Sequence, residues 1–113
     1  MLSRSNRLKK SSDFRKVFSR GKKASEGLIV LRWMPNCIGK SRFGFIISKK
    51  VSKKSVIRNK IRRKLQVSAK NLSPLLKKEI DAVIIVGAGV MVKENFSQLL
   101  KKIFVKTRLL KEE

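Results

Sequence analysis

Nine Lys or Arg side chains fall within the 16 residues from Lys49 to Lys64, and no carboxylate interrupts the chain between Glu26 and Glu79. Cations at that density, with no anions to pair them, are chemistry for binding a polyanion. Arg58, Arg62 and Arg63 stand out, because a planar guanidinium meets two phosphate oxygens at once where a lysine offers a point charge. Asn59, beside them, adds a donor suited to a sugar or a base. The whole chain agrees: 30 basic against 7 acidic residues give a formal charge of +23 over 113 residues. Self-repulsion of that size destabilises a compact domain unless a partner neutralises it, and nucleic acid is the commonest such partner.

Groups that would carry catalysis are missing or scattered. The chain has no His and no Tyr, and Asp13, Glu26, Glu79, Asp81, Glu94, Glu112 and Glu113 are dispersed along it. No acid/base couple and no oxygen-rich metal cage is evident. The single cysteine, Cys37, cannot form an intrachain disulfide and has no His to make a reactive dyad, so it reads as an incidental thiol in a cytoplasmic protein. Gly87-Ala88-Gly89 follows an apolar run, but Val92 stands where a nucleotide loop needs a third glycine, which leaves a strand-to-helix turn. The amino terminus has no apolar stretch behind its charges, and the run from Ala82 to Val92 is broken by two glycines and falls far short of the ~20 residues that span a bilayer. Membrane insertion is not expected.

Several elements must position the cations. Ser11-Ser12 are placed to cap a short helix in which Phe14, Val17 and Phe18 share a face before Gly21 ends it. Residues 28–34 and 42–48 read as strands, the first closed by Pro35-Asn36, and their closeness in sequence predicts an antiparallel pair. From about Val56 to Asn71 the period turns helical. Ile57, Ile61 and Leu65 fall within an arc of about 80°, while Arg58, Asn59, Arg62, Arg63, Gln66 and Lys70 take the other side. Asp81 to Val86 is a continuous apolar strand, as expected when both faces of a sheet are covered. Phe96, Leu99, Leu100, Ile103, Phe104 and Leu110 recur at helical spacing and predict a last helix across the sheet. One domain spanning 1–113 is expected, with short flexible ends at about 1–8 and 110–113. Its 42% hydrophobic content is enough to fill one core.

Lys49-Lys50 after a strand, followed by Arg58-Asn59-Lys60-Ile61-Arg62-Arg63, resembles the basic signature of the bacterial ribonuclease P protein component. Asn6-Arg7-Leu8-Lys9-Lys10, leading to Asp13-Phe14 and Val17-Phe18, is similar to its amino-terminal helix. The resemblance implies an α+β sandwich of order α-β-β-(β)-α-β-α with a left-handed βαβ crossover. It also implies a large catalytic RNA as partner, magnesium bound mainly by that RNA, and removal of the 5′ leader from precursor tRNA. Carried over residue by residue, Lys49, Lys50, Lys53, Arg58, Asn59, Lys60, Arg62 and Arg63 are the expected RNA-binding set. Phe14, Phe18, Arg32, Trp33 and Ser48 are the expected leader-binding set. No catalytic residue, protein-bound metal or obligate protein partner is implied. The chain departs from the family pattern at Gln66, where an Arg is usual, at Gly87-Ala88, where a basic residue is common, and at Arg32, where an aromatic is frequent.

Two rivals share this composition. A ribosomal-type structural rRNA-binding protein would have the same charge and size, and identifying the RNA captured by the protein discriminates it. A DNA-binding regulator fits poorly, since long strands flank the basic helix, and competition with duplex DNA tests it.

Overall fold

The computed structural model describes residues 2–110. In chain order these form a 3-10 turn (Arg4–Asn6), α1 (Ser11–Arg20), β1 (Lys22–Glu26), β2 (Ile29–Pro35), β3 (Arg42–Ile47), α2 (Ser55–Leu72), a second 3-10 turn (Ser73–Leu75), β4 (Ile80–Val86) and α3 (Phe96–Lys106). The result is a mixed α+β domain whose three helices and three apolar strands lie where the sequence predicts them. β1 fills the additional strand of the expected order. Its Lys-Lys-Ala-Ser-Glu sequence has no apolar alternation, because it is an edge strand and two lysines on an edge discourage further pairing.

One expectation is overturned. The sheet order is β1-β2-β4-β3, so β2 and β3 do not pair with each other. β4 lies between them, antiparallel to β2 and parallel to β3. A hairpin is the default for strands close in sequence, but here the largely apolar β4 inserts between them and is paired along both of its edges.

The register sorts side chains into two layers. Ile29, Leu31 and Trp33 of β2, with Ile80, Ala82 and Ile84 of β4, face α2 and α3. There Phe43 and Phe104 pack with ring centroids 6.5 Å apart, and Ile61, Leu65, Leu100 and Ile103 are fully buried. Leu8, Val17 and Val83 form a smaller cluster under α1 on the other face.

Four local expectations also change. Lys10 stands at the α1 N-cap and no side chain caps it, so Ser11 and Ser12 do not play that part. Gly21 does end the helix, its N–H donating to the Val17 carbonyl. Residues 2–8, expected as a free end, are packed. Leu2 and Leu8 are buried, the Leu8 N–H donates to Phe43 O, Asn6 Nδ2 donates to Ser41 O, and Arg7 donates twice to Leu2 O. Burial of two leucines outweighs solvation of the neighbouring cations. At the other end α3 stops at Lys106. Arg108 takes a left-handed conformation (φ 63°), and the N–H groups of Arg108 and Leu109 return to Val105 O and Phe104 O. This Schellman turn folds Leu109 and Leu110 back into the core, so Leu110 belongs neither to the helix nor to a free tail, and the rest of the expected tail, 111–113, lies outside the described residues.

Candidate nucleic-acid interface

The turn after β3 carries Lys49 and Lys50, and Lys53 follows on the approach to α2, all exposed. This loop is closed by its own chain. Lys50 N–H donates to Ser48 Oγ, Val51 N–H to Ser48 O and Lys54 N–H to Ser52 Oγ. Arg58, in the first turn of α2, reaches back to Ser52 O (2.9 Å) and Lys53 O (3.1 Å). Its guanidinium therefore fastens the lysine loop to the helix, a part that sequence reading missed.

Farther along α2, Asn59, Lys60 and Arg63 are exposed and Arg62 is half-buried. Arg62 Nη1 donates to Asn59 Oδ1 at 2.8 Å, which leaves the Asn59 amide N–H groups outward as donors. Among the described residues no carboxylate pairs with any cation of this ridge. It is a continuous field of positive charge on a rigid helix. Gln66, expected on the ridge, is buried instead, with only 8% of its surface exposed. A helical wheel supposes one covered side, whereas α2 packs against both β3 and α3.

On the α1 face the strand registers place side chains in rows. Met34, Asp81 and Arg42 form one, Arg32, Val83 and Gly44 the next, and Val30, Ile85 and Ile46 the third. Helix α1 packs against β2 and β4 on this face, with Val17 in contact with Val83 and Phe14 seated on Gly44. A Cβ at Gly44 would stand 2.5 Å from Phe14 Cζ and 2.7 Å from its Cε1, so only glycine lets the ring lie this close to the sheet. Phe14, Phe18, Val30, Ile46 and Ile85 all remain half-exposed. They form a partly exposed apolar strip across three strands alongside α1, the α1 groove.

The structure therefore brings Phe14, Phe18 and Arg32 together. The Arg32 guanidinium lies 5.3 Å from the Phe18 ring centroid, and its Nη2 donates to Phe18 O. Ser48 is exposed just past the end of β3, one alternation beyond Ile46, at the junction of groove and lysine loop. Trp33 is not part of this group. It is 4% exposed on the opposite face, under α2 and α3, with Lys22 Nζ 5.2 Å from the ring centroid. Alternation along β2 separates it from Arg32. Val30, Ile46 and Ile85 were missed as site residues although the same alternation marks them.

Arg42 and Asp81 were also missed. Arg42 donates from Nε and Nη2 to the two oxygens of Asp81, at 2.9 and 2.7 Å, and its Nη1 lies 3.4 Å from Asp13 Oδ2. Hydrogen bonding to Asp81 raises the Arg42 guanidinium above its ordinary pKa, against the opposing effect of burial. Among the described residues no three His, Cys, Asp or Glu side chains come together, and Asp13 and Asp81 already serve Arg42, so this set does not fit a divalent cation. Among the described residues no helix is long and apolar enough to cross a membrane.

These features define a class: a small, strongly basic α+β protein with a cationic helix on one face of its sheet and a partly exposed apolar strip on the other. The sequence profile described as Ribonuclease P matches residues 2–110, and the chain belongs to the ribonuclease P protein family. It is 38% identical over 106 residues to the ribonuclease P protein component of Thermoanaerobacter sp., covering 91% of this chain and 90% of that one. The corresponding protein of Caldanaerobacter subterraneus is 36% identical over 110 residues, covering 95% and 93%. In fold the chain is similar to the Staphylococcus aureus RNase P protein, with a TM-score of 0.83 at 22% identity over 94% of this chain and 98% of that one. The Thermotoga maritima RNase P protein gives 0.68 at 22% identity over 95% and 100%.

Proposed function

We propose that this chain is the protein subunit of a ribonuclease P holoenzyme, binding the catalytic RNA through the α2 ridge and the Lys49–Lys53 loop and holding the 5′ leader of precursor tRNA in the α1 groove. The observation that carries the reading is that one small domain presents two unlike surfaces, a cationic ridge on α2 and a partly exposed apolar strip beside α1 on the other face of the sheet. A ridge of unpaired cations suits a folded RNA backbone, where Arg62, Arg63 and the loop lysines neutralise phosphates and release counterions. The groove, apolar and flanked by the Phe14 and Phe18 rings, suits unstacked bases of any sequence, since every base presents a π-face. Magnesium belongs to the RNA in this reading. The protein contributes binding and lowers the repulsion between two polyanions.

The test is reconstitution. Purified protein alone leaves precursor tRNA intact, while protein with the catalytic RNA and magnesium cleaves at the leader junction, with the greatest gain over RNA alone at low salt and low magnesium. Robust cleavage by nuclease-free protein without the RNA, or no gain from adding the protein, overturns the reading.

A further inference from the structure

We propose that Arg32 and Arg42 are positioning residues: two arginine posts, rising from β2 and β3, that hold α1 at the height and angle that keep the groove open. The inference rests on the groove's being the leader site. Little else holds α1. The helix has ten residues, too few to be stable alone, and Val17 is its one fully buried side chain. Phe14 and Phe18 bury only part of their rings.

Polar anchors secure both ends. Towards the amino terminus, Asp13 Oδ2 meets Arg42 Nη1 at 3.4 Å. Arg42 cannot swing, because both oxygens of Asp81 hold it, and Asp81 is itself fixed by Asn36 Nδ2 at 2.8 Å. Towards the carboxyl terminus, Arg32 grips the Phe18 carbonyl while its guanidinium lies against the Phe18 ring. The posts stand on the two strands flanking β4 and in adjacent rows, so α1 is pinned on a diagonal. The row just beyond, Val30, Ile85 and Ile46, is left open.

Asp81 makes the case that this is more than packing. It is a 7% exposed carboxylate within an otherwise apolar central strand. A buried ion pair adds little net stability compared with apolar groups of the same volume; what it fixes is geometry. Here the geometry fixed is that of the helix wall.

The experiment compares affinity and steady-state kinetics of the reconstituted holoenzyme on precursor tRNA bearing a leader of several nucleotides with its affinity for mature tRNA. Asp13→Ala cuts one post from the helix and leaves the Arg42–Asp81 pair intact. Arg42→Met with Asp81→Leu replaces the pair by apolar groups. Arg32→Met removes the other post. Each is expected to raise KM for the precursor about tenfold, ~1.4 kcal/mol, with kcat, mature tRNA affinity and the salt dependence of catalytic-RNA binding unchanged. Asp13→Glu is expected to restore most of the loss. If these variants keep the leader advantage while Phe18→Ala removes it, the posts serve only the fold and the proposal is overturned. If Phe18→Ala also keeps it, the leader reading of the groove falls, and the posts with it. Equal loss for precursor and mature tRNA with a large fall in melting temperature likewise overturns the proposal.

Discussion

On one face of the sheet Ile29, Leu31 and Ile84 are sealed beneath α2 and α3, while on the other their immediate chain neighbours Val30 and Ile85 lie half-exposed beside α1. The same three strands supply both layers, so the difference does not come from strand composition. It comes from what covers them: two helices of 18 and 11 residues on one side, a single helix of ten on the other. Stability is concentrated where closure is complete. Apolar surface left open on a strongly cationic domain is available to a ligand that is itself part apolar ring and part phosphate.

That contrast can be broken most severely from the sealed side. Phe104→Ala removes a fully buried ring in contact with Phe43 and should cost about 3–5 kcal/mol, a large share of what holds a domain of this size together. Chemical denaturation gives the value. A loss below ~1 kcal/mol would mean that the α2/α3 face is not the stabilising one. Gly44→Ala tests the open side. The added methyl must push Phe14 off the sheet, with an expected cost of about 1–3 kcal/mol and a larger relative loss in affinity for precursor than for mature tRNA. If the loss is equal for both, Phe14 is core and not wall. The smallest effect on stability belongs to the ridge outside both faces. Arg62→Ala with Arg63→Ala should leave the unfolding free energy within ~0.5 kcal/mol, as surface changes do, and flatten the dependence of log affinity for RNA on log salt by about 1.4 units. An unchanged slope would show that the ridge is only solvated.

Much of this was legible in the sequence where one physical signal dominated. Helical periodicity locates α2 within a residue of its ends, and its missing carboxylates mark the ridge. The apolar run of β4 announced two covered faces, yet the habit of pairing neighbouring strands joined β2 to β3 and hid the vacancy into which β4 fits. β1 was invisible because an edge strand is selected for what it repels. Gln66 and Trp33 were misplaced for related reasons: a helical wheel assumes one buried side, and α2 has neighbours on more than one, while nearness in sequence along a strand puts Trp33 and Arg32 on opposite faces. The posts could not be read at all. Asp13, Arg42 and Asp81 are 29 and 39 residues apart along the chain, as measured from Arg42, and only tertiary structure brings them together.

β4 is the last strand to appear in the chain and one of the two interior strands of the sheet. Until residues 80–86 are in place, β3 has no ladder partner, and the sheet consists of the β1–β2 hairpin, which is marginal in water by itself. The β2–β4 and β3–β4 ladders join residues far apart in sequence, so loop entropy is spent before most of the sheet forms. A nascent chain released before Ile80 has no partial version of the groove to offer. Half a protein here is not half a binding site.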